Sequence, residues 1–432
     1  LAASDQETPR YTGFGGAIAT LKVAAFRNYT LANSASLTGT WLQKLAMSWL
    51  VWELTESPSW LGIFIFADLL TIIIVSPIIG AVADRVDRLQ LMILAQAVMM
   101  SQAITIAVLY AAGWTNIWIL LALQVWQSVG QGTHTASRMA LIPSLVPKPL
   151  LAPTIGVNAV TYNTARFLGP AIAGIVISQW GQLAAFVLNA LSYIPFILVL
   201  RTITVITPDE VRKPEGHILA QIRDGMRYAA RHPGIGPLIF IMGIVSFSVR
   251  SLPDMLPAFT ADVFGRGVDG LAWLTSAMGI GAAGAGLMLA RTNSTRGLTR
   301  RLAWNVGCMA IAVLSFVATR DFAVGIVAAV VCGYVITTNG VTSQTLIQSA
   351  VDGAMRGRAM SSFTLIYLGA PALGGLVFGH VAEIIGLRPT FAIGAGLCFC
   401  CFLWMYPRKA AMGAALEIGP AAGPTTGQAE AK

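Results

Sequence analysis

The sequence predicts an all-α polytopic membrane protein, with twelve transmembrane helices in two pseudo-symmetric six-helix bundles. Three observations predict it. Of 432 residues, 56% are hydrophobic and only 11% charged, too little polar surface to cover a soluble globule of that size. The apolar residues gather into twelve runs, each close to the ~20 residues that an α-helix needs to cross a bilayer. A segment of small residues around a proline also recurs about half a chain apart. Gly169-Pro170-Ala171-Ile172-Ala173-Gly174 is matched by Ala370-Pro371-Ala372-Leu373-Gly374-Gly375, and Ala185-Phe186 by Thr390-Phe391, as expected of a duplicated bundle.

In chain order, residues 1–25 form a lead-in expected on the cytoplasmic side. Its polar opening carries no cleavable leader pattern, and the missing initiating Met is expected of a processed or trimmed chain. The first bundle, 26–201, holds apolar runs at about 26–51, 59–79, 89–112, 117–138, 152–178 and 182–201. Tight turns at 53–60, 113–116 and 179–182 pair them as hairpins. The longest loop, 202–235, is a linker in which 217–231 reads as an amphipathic helix. Ile218, Ile222, Met226 and Ala229 share one face, opposite Arg223, Arg227 and Arg231, which suits the inner leaflet. The second bundle, 236–406, holds runs at about 236–257, 270–290, 301–319, 322–348, 359–382 and 387–406. The tail, 407–432, is rich in Ala, Gly and Pro and reads as disordered.

The formal net charge is +9, but its placement matters more than its sum. With both termini on one side, 22 of the 28 Lys and Arg residues fall on that side. Short basic loops stay cytoplasmic, so the expected location is a bacterial-type inner membrane with both termini inside. No Lys- or Arg-rich block occurs and the aromatics lie inside apolar runs, which argues against nucleic acid as a partner. All five cysteines lie in apolar runs, and the Cys398-x-x-Cys401 pair has no His or acid nearby. They read as small buried hydrophobes, with neither a disulfide framework nor a metal site. The chain lacks G-x-S-x-G, H-E-x-x-H and P-loop motifs and its four histidines are unclustered. That weighs against a membrane-embedded enzyme and an ATP-driven pump, and no cofactor is expected. The expected partners are a small-molecule substrate, protons and membrane lipids, with the chain acting as a monomer.

Charges inside a bilayer cost several kcal/mol at mid-depth and normally face protein or a wet cavity. Asp68 lies near the middle of the second run and Lys44 at similar depth in the first. Asp68 is thus a proton carrier, or the fixed partner of Lys44 in an ion pair locking two helices. Arg166 stands one turn before Gly169-Pro170, where it either braces the bend or touches cargo. Arg250 and Asp254 are four residues apart, which favours an intrahelical pair over a substrate contact. The loop 80–88, Gly-Ala-Val-Ala-Asp-Arg-Val-Asp-Arg, sits between the second and third runs. Gly80 would let helix ends approach, while Asp84, Arg85 and Arg88 form a polar hinge that can meet a helix N-terminus or a cation. Asp84 and Arg138 are candidates for a contact closing the cytoplasmic side. Gly279, Gly281, Gly284 and Gly286 read as a close-packing face.

The loop pattern of Gly80, Asp84-Arg85 and Arg88 resembles the loop 2-3 signature of the major facilitator superfamily. It departs at Asp87, where a second Gly is usual, and at Leu89-Gln90, where basic residues are usual. Further stretches, Gly39-Thr40-Trp41-Leu42-Gln43, the run from Trp49 to Pro58, that from Asn158 to Pro170, and Arg356-Gly357-Arg358, are similar to a narrower branch. It holds enterobactin-type siderophore exporters and macrolide efflux pumps, the transmembrane secretion effectors. The resemblance implies the major facilitator fold over residues 20–406 and alternating access by rocking of the two halves. It also makes Gly169 and Pro170, with Gly174, counterparts of the exporter-associated motif. The superfamily's span 4 arginine is unmatched, since Trp126, Ser128 and Gln131 hold the candidate positions.

The same resemblance implies that spans 1, 4, 7 and 10 line a central cavity, and three carry polar stripes at helical spacing. Span 1 offers Asn33, Ser36, Thr40, Gln43 and Lys44; span 4 offers Gln124, Gln127, Gln131 and His134; span 10 offers Tyr334, Thr338, Thr342 and Thr345. Such stripes serve as interhelical glue or as cavity wall. The four large side chains on span 4 are expected to face water, because unpaired amides in hydrocarbon are expensive. The substrate-binding candidates are therefore Asn33, Thr40, Gln43, Lys44, Gln124, Gln127, Gln131, Arg250, Tyr334, Thr338 and Thr342. With Lys44, Arg166 and Arg250 against Asp68, the interior leans positive and suits an anionic amphiphile. The expected function is a secondary transporter exporting a small amphipathic molecule, siderophore-like or drug-like, by proton antiport. Uptake and lipid flipping are the alternatives within the same fold.

Overall fold

The computed structural model describes residues 13–83, 86–204, 218–290, 294–351 and 353–417, and among them there are helices and no strands. After a short α1 (Gly13–Lys22), α2 (Ala24–Thr55) is the first long rod. Glu56, in the left-handed region at φ 46°, stops it, and Pro58 opens α3 (Pro58–Ala83), where a missing N–H does no harm. Gly80 therefore lies within the last turns of α3, not in the loop, while Asp84 and Arg85 lie outside the described residues. Arg88 opens α4 (Arg88–Ala111), which Asp87 caps by accepting from the Leu89 amide at 2.8 Å. The residue that departs from the superfamily loop thus starts a helix. Asn116 caps α5 (Ile117–Leu141) in the same way.

Next, α6 (Leu151–Thr202) runs for 52 residues, enough for two crossings, and is broken only at Gly181 (φ 77°, ψ 175°). That backbone region is open essentially to glycine, so the expected turn at 179–182 shrinks to one residue. The linker helix is α7 (Ile218–Arg231), followed by α8 (Ile235–Ser248). Span 7, expected as one helix, instead breaks after α8. It continues as a 3₁₀ turn (Leu252–Met255), a single turn α9 (Leu256–Ala258) and a π turn (Phe259–Val263). Pro253 and Pro257 remove two amide donors and crowd the preceding turn, which accounts for the break. The remaining rods are α10 (Val268–Ala290), α11 (Leu298–Ala318), α12 (Phe322–Ala350), α13 (Gly353–Ile385) and α14 (Leu387–Leu416).

α14 passes Pro407, where the sequence reading ended the ordered chain. It is held by Leu416, buried beside Gly234, and by Glu417, whose carboxylate accepts from the Gly297 and Thr299 amides at 2.6 and 2.9 Å. Residues 418–432 lie outside the described residues. Among those described, nine stretches are long and apolar enough to cross a membrane, one of them covering both crossings of α6. α2 and α5, two of the three rods with polar stripes, fall outside that set, and counting them fits twelve crossings.

Two seams join the halves, α3 against α13 and α6 against α10. The repeated glycines sit in them at equivalent places. A Cβ on Gly174 would strike Ala272, and one on Gly62 would strike the carbonyl of Gly375. Both contacts lie at the end away from the termini, the far end, where Glu383 of α13 accepts from Ser57 Oγ (2.6 Å) and the Ser59 amide (3.2 Å) at the start of α3. Toward the terminal end a Cβ on Gly156, Gly286 or Gly369 meets nothing within 4 Å, so the halves part there.

Candidate functional site

Between the halves lies a cavity of about 640 Å³, within the size range of small-molecule sites. Its first-half wall is Trp41, Lys44 and Ser48 of α2, Phe64 and Asp68 of α3, Gln124 of α5, and Asn163, Arg166 and Pro170 of α6. Trp41, Lys44 and Ser48 share one helix face because they are spaced three and four residues apart. The second half supplies Asp254 and Pro257 from broken span 7, Thr275, Met278 and Gly286 of α10, and Gly333 and Thr337 of α12. Most of the wall is apolar, and the charges gather in one place.

Lys44 Nζ stands 3.8 Å from Asp68 Oδ2, with Lys44 50% and Asp68 23% exposed. The other Asp68 oxygen accepts from Ser128 Oγ at 2.5 Å, and Gln124 Nε2 lies 3.4 Å from that hydroxyl. Asp68 is therefore held by α2 and α5 together. Trp41 lies between two cations, Lys44 Nζ at 5.5 Å and Arg166 Cζ at 5.7 Å from its ring, a favourable placement over a π face. Its backbone side abuts Gly169, where a Cβ would strike it, so that glycine seats the tryptophan. Asp254 faces them across the cleft. Lys44, Arg166, Asp68 and Arg250 all act on it electrostatically. Among the described residues it nevertheless makes no side-chain hydrogen bond and no ion pair within 4.0 Å.

Of the residues expected to carry function, the structure brings Lys44, Asp68, Gln124, Arg166 and Pro170 to one cavity. Others meet protein partners away from it. Gln43 donates to Gln102 at 2.7 Å and accepts from Asn189 at 2.8 Å; Gln127 and Thr40 meet the Tyr193 hydroxyl at 3.3 and 3.2 Å. This buried network ties α2, α4, α5 and α6 together, so Gln127 of the span 4 stripe faces protein and not water, while Gln124 reaches the cavity. His134 is buried, Gln131 half-buried off the cavity wall, and Asn33 buried inside the first half. Arg250 does not pair with Asp254, because the helix breaks between them. Its guanidinium lies 3.7 Å from the Tyr367 ring centroid and donates to the Tyr367 carbonyl at 3.2 Å. Tyr334 donates to the Met288 sulfur, Thr338 is buried, and Thr342 lines a separate small pocket near the start of α11. Arg138 stands over Tyr162 at 5.7 Å; its expected partner Asp84 lies outside the described residues.

Sequence reasoning missed Asp254 as a wall residue and Ser128 as the donor to Asp68. The two prolines flanking Asp254 were the available signal for the first. Among the described residues no group of His, Cys, Asp and Glu is placed to hold a metal ion.

The chain is 24% identical to the staphyloferrin A transporter of Staphylococcus aureus over 365 residues, covering 82% of this chain and 89% of that protein. It is 21% identical to macrolide efflux protein A of Streptococcus pyogenes (86% and 93% covered) and 21% identical to the enterobactin exporter EntS of Escherichia coli (86% and 89%). In fold it is similar to a bacterial homologue of the lysosomal transporter Spinster (TM-score 0.72, 13% identity, 93% and 99% covered) and to a D-xylose-proton symporter (TM-score 0.66, 15% identity, 88% and 97% covered). The family model described as transmembrane secretion effector matches residues 15–422. A match over nearly the whole chain places it in that family: it belongs to the transmembrane secretion effectors of the major facilitator superfamily, a multi-pass membrane transporter with efflux-type relatives.

Proposed function

We propose that the protein is a secondary exporter of a small amphipathic molecule, working by alternating access and proton antiport. The observation that carries this reading is the cavity of about 640 Å³ between the halves, apolar over most of its wall, with Lys44, Arg166, Asp68 and Asp254 gathered in it. Trp41 with Lys44 and Arg166 would receive an acidic or aromatic group. Asp68 would release Lys44 when it takes a proton, because a neutral carboxyl no longer holds the ammonium. Asp254, from the opposite half, is then the carboxylate Lys44 turns toward. The siderophore and macrolide cargoes named for the relatives support an amphipathic substrate. The placement of 22 of 28 basic residues supports cytoplasmic termini, which makes the splayed end the cytoplasmic one.

The test is flux in proteoliposomes under an imposed pH gradient, with staphyloferrin A, enterobactin and a macrolide offered separately. Gradient-dependent accumulation of one of them is the expected result. Gradient-independent flux would remove the antiport, and no flux of any of the three would remove the cargo class.

A further inference from the structure

The cavity wall is exposed at its terminal end between α6 and α10. At the terminal end its wall passes from α6 to α10 across a gap, where Val160 and Leu287 both line the cavity and are 65% and 70% exposed. Nearby, a Cβ on Gly156 or Gly286 meets nothing within 4 Å, whereas at the far end the same two helices leave no room for one between Gly174 and Ala272. The helices diverge, and the wedge between them joins the cavity to the surroundings. At 1.5 Å per residue, Val160 lies about 14 Å along α6 from Leu151 and Leu287 about 5 Å along α10 from Ala290. With the helix ends at the membrane face, both depths fall within one ~15 Å leaflet of hydrocarbon, where the wedge would meet acyl chains. Its rim is apolar: Ala159, Val160, Ala283 and Leu287. One turn inward on α6 stand Asn163 and Thr164, and beyond them Arg166 and Lys44 beside Trp41.

We propose that the cavity is loaded sideways from the bilayer through this α6–α10 wedge, by a single-tailed anionic amphiphile. Its acid group settles beside Arg166 and Lys44 while its chain still lies between Val160 and Leu287. The inference rests on the cavity being the cargo site; the direction of transport does not enter it. The rim matches the tail of such a molecule and the floor matches its head, so loading carries the acid group past the rim while the chain stays against it.

The probe is 5-doxyl-stearic acid, a carboxylic acid whose nitroxide quenches tryptophan on contact, added to the full chain in phosphatidylcholine vesicles. Trp41's share of emission is the difference between wild type and Trp41→Phe. That share should be quenched saturably, be restored by unlabelled stearate, and lose its quenching in Arg166→Gln. The pair Gly156→Phe with Gly286→Phe fills open space and should abolish the quenching, while water-soluble acrylamide still reaches Trp41. A second readout leaves Trp41 untouched. With Cys308 and Cys400 replaced, a spin label at Leu287→Cys should be relaxed more by oxygen, which concentrates in lipid, than by a water-soluble nickel chelate. Acrylamide quenching without doxyl quenching, doxyl quenching indifferent to the glycine pair, or dominant nickel relaxation would each overturn the proposal. Absent flux with quenching intact would instead sink the export reading and leave the wedge standing.

Discussion

Replacing Gln43 by Leu separates packing from cargo contact at a position where sequence and structure disagree. Gln43 is 3% exposed and bonded to Gln102 and Asn189, both fully buried. Leucine keeps most of the volume, removes both bonds, and leaves the Gln102 carbonyl with nothing to accept from. Asn189 keeps a bond of 3.3 Å to the Tyr193 hydroxyl. Side-chain hydrogen bonds inside membranes average about 0.6 kcal/mol, so the two lost bonds come to about 1.2 kcal/mol. An orphaned buried acceptor adds to that, about 1 kcal/mol at the low end of its range. The sum, about 2 kcal/mol, is roughly a thirtyfold fall in the ratio of folded to unfolded protein. Unfolding of the purified chain in mixed micelles, with rising dodecyl sulfate followed by helical circular dichroism, reads it directly. Cargo affinity of the folded fraction should stay at the wild-type value. A variant that unfolds with wild type yet binds cargo less tightly would refute the packing assignment and return Gln43 to the pathway.

Three more outcomes follow from the geometry. Asp68→Asn keeps the Ser128 contact in shape but leaves Lys44 without its 3.8 Å partner; gradient-driven accumulation should be lost while exchange of cargo across the membrane persists, measured as counterflow in proteoliposomes. Glu383→Ala removes the bonds to Ser57 and Ser59 that join the halves at the far end. For an exposed carboxylate that is about 0.5–1 kcal/mol, a roughly two- to fivefold shift toward the state open at that end, read as spin-label distances between α3 and α13. Gly281→Val places a Cβ against the Val330 backbone carbonyl, which cannot move aside, whereas Gly286→Ala enters open space; the first should aggregate on size-exclusion chromatography and the second elute as wild type.

The architecture was legible because it rests on signals that are local and redundant: apolar length, loop charge and a proline-bearing segment of small residues written twice. Charges in apolar runs were equally plain, and Lys44, Asp68 and Arg166 do meet at the cavity. What the sequence could not supply was the identity of the neighbour that a polar face meets. Gln124 and Gln127 are three residues apart, yet one reaches the cavity and the other Tyr193 of α6. A helical period fixes a face but not its partner. The pairing of Asn189 with Tyr193, itself one turn apart on span 6, was the hint that a polar counterface existed. The Arg250–Asp254 spacing misled for a related reason, since four residues bring two side chains together only in an unbroken helix, and Pro253 and Pro257 break this one.

The reversal at Gly181 leaves no slack between the fifth and sixth crossings. With a single residue joining them, neither rod can slide or swivel without dragging the other, so the pair behaves as one stiff fork. Tilting one tine against the partner bundle must swing its sibling and whatever leans on it, which delivers motion from the midline to the lipid-facing flank with no loop to absorb it.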